Sequence, residues 1–245
     1  AGALVTMTNL GTNVTHETRT DQAGNFRSIP LRTGTYSVTV ESAGFKKLVR
    51  TGITLQIQDE VRLDLLLELG ASAEQITVTA DAALLQTTEA SRGQVIENKK
   101  IVDLPLNGRD YLQLALLTAG TNVPPPGSRF QGFSSGGFRV SHNNYLLDGM
   151  DNNSNQQAAQ GRTPQVISPS VDAVQEFKVQ TTNYSAEFGR NVGGVVNVVI
   201  KSGSNEFHGG VFEFLRNEAF NARNFFQQAG VDNPVFRRNQ FGGFL

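Results

Sequence analysis

The chain has 245 residues, 38% of them hydrophobic, a formal net charge of −1 and no cysteine. That length supplies at least two cores, and 21 Lys and Arg set against 22 Asp and Glu exclude the concentrated basic face of a general nucleic-acid binder. Disulfide frameworks and thiolate metal sites are excluded for want of thiols. No apolar run reaches the roughly eighteen residues of a spanning helix, a test that does not bear on membrane β-barrels.

Ala1 heads "ALVTMTN", which already reads as a strand with no charged and apolar leader before it, so the natural chain is expected to begin further upstream. To about Gly70, short alternating strands are separated by turn chemistry, as in an all-β sandwich. In "TDQAGNF" Asp21 and Gly24 make a turn, and Thr33–Gly34 make another before Tyr36, Val38 and Val40 line one face. "VRLDLLLELG" places Val61, Leu63, Leu65 and Leu67 inward against Arg62, Asp64 and Glu68. About seven strands fit this pattern. The stretch "TDQAGNFRSIPLRTGTYSVTVESAGF" resembles the carboxypeptidase regulatory-like domain, a transthyretin-like sandwich. In that family the module is a non-catalytic companion of a peptidase.

After a small-residue spacer, "EQITVTA" is one short strand, with Ile76, Val78 and Ala80 alternating against Gln75, Thr77 and Thr79. No turn dipeptide joins it to a following strand. Periodicity leaves three readings open: a further strand of the sandwich, the first strand of the next domain, or a mobile strand that adds to a partner's sheet edge.

From Asp81 to Gly203 the character is mixed. "LPLNGRDYLQLALLTAG" predicts a helix of about three turns, with Asn107 as N-cap, Tyr111, Leu114, Ala115 and Leu117 at helical spacing, and Gly120 as the stop. "TNVPPPGSRFQGFSSGG" reads as exposed loop. Two strands are predicted around Glu176 to Gln180 and Val195 to Lys201, the second apolar on both faces apart from Asn197. Beyond Asn205 the composition shifts again, for nine of the 16 Phe lie between Phe207 and Phe244. The strand-like "FHGGVFEFLRN" and "PVFRRNQFGGFL" suit a membrane barrel with aromatic rings at its boundary, or a soluble β-domain. The chain stops within this pattern, so truncation at both ends is expected.

The order "EQITVTA", "YLLDGMDNN", "EFKVQTTNYSAEFGRNVGGVVNVVIKSGSNEFHGGVFEF" resembles a TonB-dependent outer-membrane transporter, with a leading sandwich as in the Oar-like subgroup. The resemblance implies an energy-coupling strand over Glu74, Gln75, Ile76, Thr77, Val78, Thr79 and Ala80. It also implies a plug whose motif falls on Leu147, Asp148, Gly149, Gly189, Gly193 and Gly194. The expected fold is multi-domain and mainly β: a transthyretin- or immunoglobulin-like β-sandwich (1–70), a linker with the coupling strand (71–81), a mixed α/β plug (82–204) and the first strands of a transmembrane β-barrel (205–245). Implied partners are a TonB-type periplasmic energy-coupling protein, outer-membrane lipid around the barrel, and an imported substrate whose identity these residues do not carry. Where many such plugs have an Arg-Gly-Pro turn, this chain has Thr181, Thr182 and Asn183, and Arg190 is a nearby substitute.

Other chemistry finds little footing. "GRNVGG" lacks the Gly-Lys-Ser/Thr ending of a phosphate loop and precedes a strand, which favours a turn with close backbone packing. "DGMDNNSN" lacks the terminal Glu of an EF-hand, so no metal site is expected there. His16, His142 and His208 stand in three separate segments, an unpromising set for zinc. No nucleophile elbow or paired-carboxylate context points to an enzyme, and no cofactor is implied. Phe130, Phe133, Asn152, Asn153, Gln156 and Gln157, in two loops, are candidate contacts for a glycan or peptide, against the alternative of solvated linker. An alternative to the transporter is a secreted or periplasmic non-catalytic binding protein made of the sandwich and the mixed domain.

Overall fold

The computed structural model describes residues 1–70, 75–79, 91–125, 132–154, 163–189, 191–223, 225–228 and 230–245. Two compact units result, Ala1–Gly203 and Ser204–Leu245.

The first unit opens with a sheet built from β1 (Leu4–Asn9), β2 (Thr15–Arg19), β3 (Gly34–Glu41), β4 (Lys47–Leu55) and β5 (Gln75–Thr79), ordered β2-β1-β3-β4-β5. Period-2 alternation puts Val5, Met7, Tyr36, Val38, Val40, Leu48 and Ile53 on one face, where they are buried with Ala3. Each large member contributes about 1.5–3 kcal/mol by leaving water. The turn after β2 forms as expected: the Asp21 carboxylate accepts from Ala23 N–H at 2.9 Å and Asn25 N–H at 2.8 Å, and Gly24 takes the positive φ of +86° that a Cβ would resist.

The expected count of about seven strands to Gly70 is corrected to four, β1 to β4, and the sheet's fifth strand is the "QITVT" that follows them. Val61, Leu63, Leu65 and Leu67 do turn inward onto this core, together with Phe26 and Leu31. Yet 60–68 forms no ladder; it is extended chain, met by one bridge between Phe45 and Leu69 and by Lys46 N–H donating to Glu68 O at 2.9 Å. Alternation reports which face is buried, and a ladder also needs a neighbour at hydrogen-bonding distance. The module is therefore sandwich-like, a sheet faced by extended chain.

The rest of this unit carries β6 (Arg92–Glu97), an α-helix (Asn98–Asp103), β7 (Thr121–Asn122) paired with β8 (Ser134–Ser135), β9 (Asn144–Leu147), β10 (Met150–Asp151), β11 (Val174–Thr182) and β12 (Val195–Ile200). The second sheet runs β10-β9-β12-β11-β6, with β12 parallel to β9 and antiparallel to β11. β12 is central and its first four residues are buried, as its apolar run predicts. The predicted helix at 107–120 is instead a 3-10 helix, Tyr111–Leu117, capped by Asp110, whose carboxylate accepts from Leu112 N–H at 3.0 Å. Asn107 lies outside it. Tyr111, Leu112, Leu114 and Ala115 are buried in the core with Phe177, Val179, Val196 and Val198, whereas Leu117 is exposed.

The second unit is one hairpin, β13 (Gly210–Asn217) with β14 (Arg237–Phe244), paired over eight residues. Val211, Leu215 and Phe241 stand exposed on it. Two strands alone cannot bury such side chains.

Candidate functional site

β5 is not a solitary strand. It lies parallel to β4, with Leu48 opposite Ile76, Val49 opposite Thr77 and Arg50 opposite Val78. Of the readings open on periodicity, a further strand of the first sheet is the one this geometry displays. Ile76 is half-buried against the sandwich core, while Thr77 and Val78 are exposed. The strand forms because β-branched residues follow one another without Gly, Pro or charge. Glu74 and Ala80, also expected in the coupling strand, lie outside the described residues.

In the second sheet, Leu147, Asp148, Gly149, Gly193 and Gly194, five of the six residues expected to form the plug motif, lie at β9 and the start of β12. β9 and β10 are joined by Asp148 and Gly149 at φ of +49° and +79°, the two positive values a tight two-residue hairpin demands and Asp-Gly supplies. Asp148 is then tied to β12, its N–H donating to Val198 O at 2.8 Å and its carboxylate accepting from Ile200 N–H at 3.0 Å. Leu147 packs on the core beside them. Gly193 and Gly194 sit where chain presses on chain. A Cβ on Gly193 would meet Asn143 Oδ1 at 2.4 Å and His142 O at 2.7 Å, and one on Gly194 would meet Ser135 Oγ at 3.0 Å. Gly189 has no such crowding, its nearest contact being Ala186 O at 3.7 Å.

The loop residues expected to touch a ligand divide. Phe130, Gln156 and Gln157 lie outside the described residues, as does Arg190. Phe133 is a correction: it is fully buried, edge-on to Tyr145 with centroids 6.5 Å apart. Asn152 is another, because its side-chain amide is spent on both polar groups of the Ile167 backbone at 2.8 Å each, and it is 3% exposed. Asn153 is likewise committed, accepting from Tyr145 N–H at 2.9 Å and donating to Asn144 and Asp151. In each case an aromatic or amide residue in a polar loop reads as a ligand contact, but the loop folds back and uses it internally. Thr181, in place of the Arg-Gly-Pro turn, donates from its hydroxyl to Ala119 O at 3.2 Å.

A joint between the two sheets escaped sequence reasoning. Ile57 N–H donates to Glu176 Oε1 at 2.5 Å, across 119 residues of sequence, and Gln56 Nε2 donates to Glu97 Oε1 at 3.0 Å. Glu176 and Glu97 are directly opposite on β11 and β6. Burial drives the Glu176 carboxyl up from the usual 4.5 to about 7; the Ile57 N–H and Lys178 oppose this, and the Asp59 and Glu97 carboxylates reinforce it. The only hint in sequence is the period-2 row Glu176, Lys178, Gln180 alternating with Phe177 and Val179, all three polar side chains being buried.

Between about pH 4.5 and 7 the unfolded chain gives up the Glu176 proton while the folded chain keeps it, so stability falls as pH rises through this window and levels off above it. Glu176→Gln is expected to remove that decline and to leave the protein more stable than the parent at pH 8. Urea midpoints from pH 5 to 8 measure it; parallel slopes for both proteins would refute it.

Comparison with known proteins covers both ends of the chain. Residues 1–68 match the carboxypeptidase regulatory-like domain, and residues 199–245 match an outer membrane beta barrel domain. Over 196 residues, 79% of this chain, the sequence is 29% identical to the TonB-dependent transporter Oar of Myxococcus xanthus. The aligned region is 18% of that relative's length. The resemblance read from the sequence is thereby borne out, and the location these matches support is the outer membrane.

Proposed function

We propose that the chain is the N-terminal part of a TonB-dependent outer-membrane transporter, in which the β5 segment is the energy-coupling strand and the β6–β12 sheet belongs to a plug that gates the barrel. The observation that carries this reading is the succession along one chain. A regulatory-like module comes first, then an uncharged strand paired with β4, then a compact mixed domain closed by β12, then a hairpin with unburied aromatic residues inside the barrel-domain match.

Work at the outer membrane has to arrive mechanically from a periplasmic partner, and strand addition suits this because main-chain hydrogen bonds supply the grip. The side chains of such a strand need only favour extension, as Ile76, Thr77 and Val78 do. Substrate enters from the barrel side and leaves when the plug rearranges. No bond-breaking step is required, and the buried phenols Tyr111 and Tyr145 are pushed by desolvation far above their ordinary range, so both remain neutral, accepting in the core from Gln165 Nε2 and Asn143 Nδ2 respectively.

The test is co-purification of the full-length protein with a TonB C-terminal domain. The parent should retain the domain, and deletion of Gln75–Thr79 should lose it. Equal retention would exclude β5 as the coupling strand.

A further inference from the structure

We infer that the contact between the turn after β4 and Glu176 is a proton-controlled latch: it holds the first sheet to the second while the Glu176 carboxyl keeps its proton, and it lets go when that proton is lost. The latch goes beyond the transport reading and does not rest on it.

The turn is shaped to present its backbone. Gln56 N–H donates to Asp59 Oδ2 at 3.0 Å and Asp59 N–H donates to Gln56 O at 3.2 Å, closing a tight loop in which Gln58 takes a φ of +59°, a conformation that a residue other than glycine adopts at a cost. Ile57, within this loop, is 4% exposed yet belongs to neither core, and its N–H is the one that reaches Glu176. Gln58 Nε2 and Oε1, next to it, are buried with no hydrogen-bond partner among the described residues. Docking withholds those two polar atoms from water, and release returns them. The contact is therefore held against an opposing cost.

The charges around Glu176 set the direction of the switch. Asp59 acts on it from the turn, Glu97 from the opposite position on β6, and Lys178, two residues along β11, is the cation of the set. Neither remaining neighbour adds a charge: β12 places Val199 opposite Glu176, and the helix Asn98–Asp103 meets β11 through Asn98, whose amide donates to Val174 O at 2.7 Å. While Glu176 is neutral, its Oε1 accepts from Ile57 N–H and the contact is satisfied. Ionisation strengthens that one bond, but it also sets a third carboxylate beside two others in a buried place, and burial is the largest of these effects. Opening relieves the strain, because the Asp59 carboxylate leaves with the turn and water reaches Glu176. With the docked carboxyl held at about 7, the latch loosens as pH rises towards neutrality. Release lets the first sheet, β5 included, move apart from the second.

Hydrogen exchange of the detergent-solubilised full-length protein, resolved to the Ile57 amide, tests this from about pH 6 to about pH 8, with and without urea below the unfolding range. After correction for the intrinsic pH dependence of exchange, protection of Ile57 is expected to fall roughly tenfold over that range, because release sheds up to one proton. It should change little with urea, since opening a turn exposes little surface, whereas amides of the β11–β12 ladder should show the steep urea dependence of global unfolding. Glu176→Gln, which keeps an acceptor and cannot ionise, should hold Ile57 protection level with pH, and Asp59→Asn should shrink the fall. The inference is overturned by level Ile57 protection in the parent, or by a fall of the same size in Glu176→Gln. It is overturned equally by an Ile57 urea dependence as steep as that of β11–β12, which would make the event unfolding and not release. The first and last of these results are read in the parent alone, so the test stands even where a variant fails to fold.

Discussion

Phe133→Ala is expected to destabilise the unit Ala1–Gly203 by about 3–5 kcal/mol, the range for a large aromatic removed from a core that cannot collapse. Phe133 has no exposed surface, and its ring meets Tyr145 edge-on. Its backbone carbonyl accepts from Asn143 Nδ2 at 2.8 Å, and the same amide group donates to the Tyr145 hydroxyl at 3.2 Å. Asn143 Oδ1 meanwhile accepts from Gly194 N–H at 2.9 Å. The cavity would therefore open beside the contact that seats the start of β12. Denaturant unfolding of the 245-residue chain measures the loss, and Phe133→Leu should recover much of it. A change below about 1 kcal/mol for the alanine variant would show that the ring is not packed as described.

Arg109→Ala is the second large effect. Gly108 and Arg109 both take positive φ, +75° and +54°, and the turn they make brings the guanidinium to Asp172, Nη2 donating to Oδ2 at 2.5 Å. The two side chains are 14% and 10% exposed, so solvent does little to screen them. Removing the arginine leaves a carboxylate largely out of water beside Val171 and Val174 in the core, at a cost of roughly 3 kcal/mol. The double variant with Asp172→Asn should recover part of it, because the stranded charge is then gone. A double-mutant cycle by urea unfolding measures this, and strictly additive losses would refute the coupling. The pair joins the turn before the 3-10 helix Tyr111–Leu117 to the turn before β11, so its loss should loosen the second sheet without touching β5.

Much of the fold was legible because its causes are local. Asp21 and Gly24 announced their turn, and Asp148–Gly149 stood where a tight hairpin needs two positive φ values. Val195 to Ile200 announced a strand buried on both sides. The helix cap was misplaced by three residues, at Asn107 instead of Asp110, since both residue types cap well and only the packing of Tyr111 on Phe177, centroids 5.3 Å apart, decides which turn begins the element.

The candidate site was legible in kind and not in detail. Ile76, Thr77 and Val78 declare an extended segment, but nothing in those residues names β4 as the neighbour. Phe133 and Asn152 lie in loops rich in Gly, Ser and Asn, where exposure is the ordinary expectation, and the folded chain buries both. Glu176 became the acceptor at an intersheet joint because Ile57, distant in sequence, presents its N–H there.

By itself the sequence determined the strand periods, the turn positions, the family resemblance and the absence of thiol chemistry. These depend on φ preferences, side-chain alternation and residue identity, which act over a few residues. Only the tertiary structure decided that the coupling-strand candidate is the fifth strand of the first sheet, that Val61 to Leu67 pack without a ladder, and that Glu176 is held near its titration point. Each of these depends on which backbone lies alongside which. Hydrogen bonding and desolvation act across space, and period-2 patterning contains no address for the partner strand.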